Sequence, residues 1–321
     1  MALMVSSAAG LATLPRGAIL TIGNFDGVHR AHQRVLAEVV AQARAAGAPA
    51  VAMTFEPHPL RVLRPERAPR LITPLPHKVR LLAAAGLDAI AVLPFTAALS
   101  QLSPRSFAQS ILVQALGVAA VHEGANFQFG HRHAGTIDTL AELGKEFGFR
   151  VVVHPELRWR GEAVSSSRIR QLIAAGGISR AARLLGRWFS IRGSIAAGRG
   201  VGRQLTVPTL NLADYPELLP ACGVYVSQTQ IGARWYPSVT NCGVRPTFLR
   251  PEDAAPPVVV ETHLLDFDPA LAPEVPSEME VCFLFRLREE RPFPSPQALK
   301  AQILRDVAQA QRFLRRVPGR P

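Results

Sequence analysis

Cysteine is scarce in this chain of 321 residues, and the few that occur are widely spaced. Cys222, Cys242 and Cys282 lack the close Cys or His neighbours that zinc sites use. An odd number of isolated cysteines also gives no sign of a disulfide framework. We therefore interpret all three as buried or incidental thiols.

Long apolar runs are absent as well. No stretch approaches the roughly 20 apolar residues that a membrane-spanning helix needs, and residues 1–15 lack the basic start of a secretory signal. We expect a soluble, cytoplasmic protein that has no membrane partner. The hydrophobic fraction of 48% argues against a disordered chain. The length fits about two domains of roughly 150 residues each.

Lysine is nearly missing, although the formal net charge is +12. The lysines are Lys78, Lys145 and Lys300, so almost all of the positive charge comes from arginine. Because no basic run is interleaved with aromatic residues, we expect no nucleic-acid partner. The charge is equally compatible with an enzyme whose substrates all carry phosphate groups.

The first half of the chain alternates short β-branched runs with Ala/Leu-rich helical stretches, which is typical of a parallel sheet. It predicts a doubly wound α/β domain, Rossmann-like in type, with the ligand crevice at the carboxyl ends of the strands. The predicted strands are Ala18–Ile22, Ala50–Phe55, Ala89–Leu93, Ala119–Gly124 and Val151–Pro155. The predicted helices are His29–Ala46, His77–Ala85, Pro104–Leu116 and Thr136–Phe147.

From Trp188 onward the pattern changes to short strands separated by Gly and Pro, which indicates a small antiparallel β-barrel. The last amphipathic stretch, Pro296–Leu314, predicts a C-terminal helix. We place the domain boundary so that the first domain spans residues 1–185 and the second spans 186–321. The predicted barrel strands are Phe189–Ile195, Val224–Gln230, Trp235–Asn241, Val258–Leu265 and Glu278–Arg288.

One motif lies where the first predicted strand runs into the first predicted helix, at residues 21–33. Such a junction presents backbone N–H groups and the positive end of the helix to an anion. Gly23 and Gly27 allow a tight turn, and His29 and His32 lie one helical turn apart. Two imidazoles here can donate hydrogen bonds to an attacked α-phosphate. For an isolated His pair, solvated residues at a helix start would be the simpler interpretation.

A second motif, residues 198–211, places Gly198, Gly200 and Gly202 before a Pro-Thr-x-Asn sequence. Closely spaced glycines allow backbone N–H groups to surround a phosphate. Thr209 and Asn211 would point to the same side of an extended segment and offer oxygen ligands to Mg²⁺. The segment is not a Walker loop, and taken alone it is equally compatible with a glycine-rich hairpin.

These motifs, in this order, resemble the bacterial bifunctional riboflavin kinase/FAD synthetase family. The resemblance extends from Ile19 to Leu314. It departs from the family at Ala31 and Thr206, where glycine is usual, and at Ser167, where threonine is usual. The matching blocks are G-N-F-D-G-V-H (23–29), F-E-P-H-P (55–59), G-A-N-F-Q-F-G (124–130), V-S-S-S-R-I-R (164–170), P-T-L-N (208–211), G-V-Y (223–225), N-C-G-V-R-P-T-F (241–248) and V-E-T-H-L-L-D (260–266).

For the first domain the resemblance implies transfer of an adenylyl group from ATP to FMN, which yields FAD and pyrophosphate. His29 and His32 are then expected to be catalytic, and Asn126 and Arg132 to bind FMN. The residues expected to bind ATP or its phosphates are Gly23, Phe25, Asp26, His29, His32, Ser165, Ser166, Ser167, Arg168 and Arg170.

For the second domain the resemblance implies phosphorylation of riboflavin by ATP, with Glu261 as the catalytic base. Thr209 and Asn211 would hold Mg²⁺ and ATP, together with Gly198, Gly200 and Gly202. An ordinary exposed strand residue remains an alternative for Glu261. For the whole chain two alternatives remain: a kinase whose first domain is weak or inactive, and a non-catalytic flavin- or nucleic-acid-binding module that uses the basic surface. The expected partners are riboflavin, FMN, FAD and ATP, and the sequence does not indicate an oligomeric state.

Overall fold

The computed structural model describes residues 2–196, 209–213, 215–244, 258–265 and 277–316. The chain divides into two compact units, Met1–Ser166 and Ser167–Pro321. The boundary expected after residue 185 concerns the extent of the catalytic domains, and it stays a prediction. No helix among the described residues is both long and apolar enough to cross a membrane.

The first unit is built on a six-stranded sheet in which every neighbouring pair of strands is parallel. The order of strands across the sheet is β1-β4-β3-β2-β5-β8, and the remaining short strands form two separate hairpins. The strands of this unit are β1 (Leu3–Val5), β2 (Ile19–Ile22), β3 (Ala50–Glu56), β4 (Ala89–Pro94), β5 (Ala120–Gly124), β6 (Gln128–Phe129), β7 (Gly135–Thr136), β8 (Arg150–His154), β9 (Arg158–Trp159) and β10 (Glu162–Ala163).

Both faces of this sheet are apolar. Alternate residues of a strand point to opposite sides of the sheet, and the central strands have apolar residues at both sets of positions. Ile19 of β2 belongs to one buried cluster and the next residue, Leu20, to the other. Val51 and Ala52 of β3 divide in the same way. The sheet therefore needs helices on both faces, and the predicted doubly wound α/β fold is confirmed.

The four predicted helices occur in the predicted order, and the short helices Ala8–Leu11, Pro59–Leu63 and Ala97–Ser100 were not predicted. The predicted helix Pro104–Leu116 is α-helical only at its start and then continues as a π-helix over Ala108–Ala115. The spacing of apolar residues predicts which side of such a segment is buried. It does not distinguish the wider turn of a π-helix from the turn of an α-helix. Strand β1 was not predicted. The helices of this part of the chain are α1 (Ala8–Leu11), α2 (Arg30–Ala46), α3 (Pro59–Leu63), α4 (Leu75–Ala84), α5 (Ala97–Ser100), α6 (Pro104–Phe107), α7 (Ile137–Phe147) and α8 (Ser166–Ala174), with short 3-10 turns at Pro65–Arg67 and His131–His133.

The second unit contains a closed six-stranded barrel in the order β11-β12-β15-β14-β13-β16, with antiparallel pairing throughout. The predicted antiparallel barrel with a C-terminal helix is therefore confirmed. Strand β12 was predicted only as an extended segment. The elements of this unit after α8 are α9 (Ile178–Leu185), β11 (Phe189–Ala196), β12 (Thr209–Leu212), β13 (Gly223–Ile231), β14 (Arg234–Val244), β15 (Val258–Leu264), β16 (Glu278–Arg288) and α10 (Pro296–Arg316).

One buried layer of the barrel is polar. The hydroxyl oxygen of Ser227 lies 2.8 Å from that of Ser238 and 2.7 Å from that of Thr240. Thr240 in turn lies 2.9 Å from Thr262 on the next strand. Because hydroxyl groups both donate and accept, these fully buried side chains satisfy one another without water. They mark the interior face of β14 and β15, so the residues that alternate with them lie on the outer face.

Candidate active sites

The order of strands places a topological switch point between β2 and β5. From β2 the chain continues to β3, which lies on one side of β2 within the sheet. It later returns to β5, which lies on the other side of β2. In open α/β sheets a ligand binds in the crevice beyond the carboxyl ends of the strands at such a point. The two segments that follow these strand ends are the predicted motif residues 23–29 and 124–130.

The segment after β2 is a tight loop with several residues in the left-handed region. Phe25, Gly27 and Val28 have φ angles of 45°, 87° and 38°. Such conformations are uncommon for residues with a side chain and are concentrated at functional sites. The loop delivers His29 to the N-cap position of α2, next to the positive end of a 17-residue helix.

The two predicted catalytic histidines lie together at this helix start. The rings of His29 and His32 are stacked, with centroids 3.6 Å apart and planes 16° apart. Phe25 packs its ring edge-on against His32 at a centroid distance of 5.2 Å, and its aromatic atoms lie beneath Gly23. Phe25 is buried, so it supports the histidines from the protein side. Its expected contact with ATP stays a prediction.

Asp26 is buried within the loop and binds the backbone of a neighbouring segment. Its carboxylate accepts hydrogen bonds from the N–H groups of Ile72 at 2.9 Å and Thr73 at 3.0 Å. The Thr73 hydroxyl oxygen in turn accepts from the N–H of Gly27 at 2.9 Å. These contacts hold the strained loop against residues 72–73. The predicted role of Asp26 in binding ATP is untested, but its position shows a structural role that the sequence did not indicate.

We expect Asp26→Asn to lower the free energy of unfolding of the first unit by about 1–3 kcal/mol, because one backbone N–H would then face an amide donor in a buried position. Urea denaturation followed by circular dichroism measures this change. Asp138→Asn, at the exposed start of α7, is the matched control and should be close to neutral. Equal stability of both variants would contradict the role assigned to Asp26.

A buried carboxyl group that the sequence analysis missed lies between the two strand ends. Glu123 of β5 accepts a hydrogen bond from the N–H of Ile22 at 2.5 Å. Burial raises the pKa of the Glu123 side chain well above its usual value, although this hydrogen bond acts in the opposite direction. The available signal was a carboxylate within a short strand whose other residues, apart from His122, are apolar or glycine. The Glu123 side chain joins β2 to β5 at the point where the predicted motifs begin.

The predicted FMN residues follow β5. Asn126 is exposed, and its side-chain oxygen lies close to the backbone of Gly124 at the strand end. Arg132 is exposed in a short 3-10 turn and has a φ of 53°. Both residues therefore lie in the segment that follows β5, which begins at the switch point. Their contact with FMN stays a prediction.

The predicted serines and arginines straddle the division of the chain. The Ser166 hydroxyl donates to the backbone oxygen of Asp26 at 2.8 Å, so the late serine block meets the loop after β2. Ser165 lies beside it in the first unit. Ser167, Arg168 and Arg170 lie on α8 in the second unit, and their predicted roles towards phosphate are untested.

In the second unit, pairing of three strands aligns three polar residues. Asn211 of β12 is the register partner of Glu261 of β15, and Glu261 is the partner of Asn241 of β14. Directly opposed residues point to the same face of a sheet, so these side chains form a row on the outer face. Thr209 lies two residues before Asn211 and shares this face. Gly198, Gly200, Gly202 and Thr206 lie outside the described residues.

Asn211 and Glu261 differ in their exposure to solvent. Asn211 is 7% exposed, and its side-chain oxygen has no hydrogen-bond partner among the residues that the structure describes. A buried oxygen of this kind costs free energy unless something binds it. Glu261, in contrast, is exposed to solvent.

Sequence reasoning missed Glu290, whose carboxylate accepts a hydrogen bond from the side-chain amide of Asn241 at 3.4 Å and another from the N–H of Val244 at 3.3 Å.

Comparison with known proteins extends over nearly the whole chain. A bifunctional riboflavin kinase/FMN adenylyltransferase of Pseudomonas fluorescens is 38% identical over 92% of this chain and 93% of its own length. The protein of the same description from Escherichia coli (strain K12) is 34% identical over the same shares. A Streptococcus pneumoniae crystal structure titled as a macrolide-efflux protein matches 96% of this chain and 99% of its own, with 25% identity and a TM-score of 0.84.

The fold and the family matches define a two-domain transferase that uses nucleotides. The FAD synthetase family model matches residues 11–168, and the riboflavin kinase family model matches residues 185–314. The chain belongs to the bifunctional riboflavin kinase/FMN adenylyltransferase family. The resemblance in the motifs is thus confirmed, and the presence of both domains favours the bifunctional interpretation over the kinase-only alternative.

Proposed function

We propose that this chain catalyses two consecutive reactions with ATP as co-substrate. The second unit phosphorylates riboflavin to FMN, and the first unit adenylylates FMN to FAD and releases pyrophosphate. The observation that carries the proposal is that each unit matches its own family model. The product of the kinase is the substrate of the adenylyltransferase, so riboflavin, FMN, FAD and ATP are the expected ligands.

In the kinase reaction Glu261 is the general base that accepts the proton of the ribityl hydroxyl group as the phosphoryl group is transferred. Thr209 and Asn211 would hold Mg²⁺, and the lone side-chain oxygen of Asn211 supports this assignment because hard oxygen ligands suit that ion. When bound, Mg²⁺ neutralises phosphate charge in the transition state. Gly198, Gly200 and Gly202 are proposed to surround the phosphates of ATP.

In the adenylyl transfer His29 and His32 donate hydrogen bonds to the α-phosphate as its negative charge increases. Their position at the N-terminus of α2 supports this role, because the helix end favours the same charge. Asn126 and Arg132 are proposed to hold FMN. Ser165, Ser166, Ser167, Arg168 and Arg170 are proposed to bind phosphate and the leaving pyrophosphate.

The proposed catalytic domains are residues 1–185 and 186–321, supported by the residues that the two family models match. We propose a cytoplasmic location, since ATP and free riboflavin are needed as substrates. We propose no nucleic-acid partner, because no basic run with interleaved aromatic residues occurs.

The direct test is to incubate the purified protein with riboflavin, ATP and Mg²⁺ and to separate riboflavin, FMN and FAD by chromatography. We expect FMN to appear first and FAD to accumulate after it. Omitting Mg²⁺ and adding a chelator should stop both steps. FMN that never advances to FAD, even when FMN is supplied directly, would contradict the function proposed for the first unit.

A further inference from the structure

A cluster of two histidines, a glutamate and a glutamine lies in the first unit, beside the end of β5 from which the segment with Asn126 leaves. His122 of β5 and His154 at the end of β8 are both buried. Their rings are stacked with centroids 5.2 Å apart, and Nδ1 of His122 lies 3.1 Å from Nε2 of His154. The registers of β2, β5 and β8 hold both residues firmly, because the backbones belong to the central sheet.

Helix α2 supplies the other members of this cluster. The side-chain oxygen of Gln42 lies 2.7 Å from Nε2 of His122. A carboxylate oxygen of Glu38 lies 3.4 Å from Nδ1 of His154, and the Glu38 side chain is half-exposed. Glu38 and Gln42 are one turn apart and face the sheet. The same helix begins directly after His29, so the cluster contacts the element that carries the proposed catalytic histidines.

The hydrogen-bond pattern leaves a lone pair of His122 pointing towards His154. With the amide oxygen of Gln42 as its partner, Nε2 of His122 carries the proton, so Nδ1 is the unprotonated nitrogen. An unprotonated ring nitrogen of this kind is the form of histidine that binds metal ions.

We propose that Glu38, His122 and His154 form a binding site for a divalent transition-metal ion, with Zn²⁺ as the best fit, that ties helix α2 to strands β5 and β8. One donor atom from each residue lies within 4.8 Å of the other two. Nδ1 of His122 and Nε2 of His154 are 3.1 Å apart, close to the separation of about 3.3 Å that tetrahedral Zn²⁺ with N ligands requires.

The surroundings of the three residues match those of known metal sites. Metal-bound histidines usually donate their second N–H to an oxygen, as His122 does to Gln42. The half-exposed Glu38 provides a route for the ion and a side chain able to adjust. Two imidazole nitrogens favour Zn²⁺, Co²⁺ or Ni²⁺ over Mg²⁺, so this site is distinct from the Mg²⁺ site proposed in the kinase unit.

The test uses the full-length protein after treatment with a chelator and removal of the chelator. Titration with Co²⁺ should produce the visible absorption bands of a tetrahedral complex with a stoichiometry of one. Added Zn²⁺ should displace Co²⁺ and raise the thermal midpoint of the first unit by about 5–10 °C at roughly 100 times the dissociation constant.

Glu38→Gln and His154→Asn should each weaken binding by at least about 10-fold and abolish the Zn²⁺-dependent thermal shift. Glu38→Gln is the safer variant for folding because that side chain is half-exposed. Glu142→Gln and His133→Ala, at exposed positions of the same unit, are the matched controls and should bind as wild type does.

Absence of both the Co²⁺ bands and the Zn²⁺ shift in the wild type would overturn the proposal. So would wild-type affinity in both Glu38→Gln and His154→Asn, or a cobalt–thiolate absorption band, which would assign the ion to a cysteine. Because these readouts do not depend on flavin turnover, they are independent of the function proposed above.

Discussion

Glu261→Gln is expected to reduce the rate of FMN formation by about 10²–10⁴ while leaving adenylylation of supplied FMN unchanged. The amide keeps the size of the side chain but does not accept the hydroxyl proton, and general-base catalysis typically contributes a factor of this order. Glu261 lies in register between Asn211 and Asn241, so the substitution should not disturb the strand. The measurement is the initial rate of each reaction with purified protein.

Glu289→Gln is the matched control for this variant, because Glu289 has an exposed carboxylate in the same unit. It should keep at least most of the kinase rate. If Glu261→Gln also kept that rate, the base would have to be another group. Glu290 would then be the first candidate, since its carboxylate contacts Asn241 in the same row.

His29→Ala should lower the rate of FAD formation from FMN by about 10²–10³, the usual cost of removing one donor that stabilises transition-state charge. The kinase rate of the same variant should stay unchanged, because Glu261 lies in the other unit. Single-turnover measurements with FMN and ATP separate this effect on chemistry from product release.

His29 is stacked on His32, so a structural effect of its removal must be separated from a catalytic one. His29→Asn and His32→Ala serve this purpose when their thermal midpoints are compared with the wild type. A variant that is folded and adenylylates FMN at the wild-type rate would refute the assignment. Loss of both activities in a folded His29→Ala protein would refute the assignment of separate sites.

Several features of the fold follow from local sequence patterns. Alternating apolar runs and Ala/Leu-rich stretches predicted the central strands and helix α2 to within a few residues, because amphipathic periodicity depends on neighbouring residues. The glycines and histidines of residues 23–32 also indicated the start of a helix that is able to bind an anion. Strand β1 escaped notice because it has three residues, and it is stable only through its pairing with β4.

The candidate sites were only partly visible in the sequence. Thr209 and Asn211 were predicted to share a face, but their alignment with Glu261 depends on the pairing of β12 with β15. Asp26 was expected to meet phosphate, and only the structure showed its hydrogen bonds to residues 72–73. Glu123 was missed because nothing in its own segment indicates that it lies beside Ile22.

The sequence by itself determined the class of each domain, the order of the motifs and the residue types available for chemistry. The tertiary structure decided which of those residues meet. Glu38, His122 and His154 come from a helix and two strands that are distant in the chain, and sheet pairing with helix packing brings them together. Local preferences act over a few residues, whereas such contacts depend on the burial of the two apolar faces of the sheet.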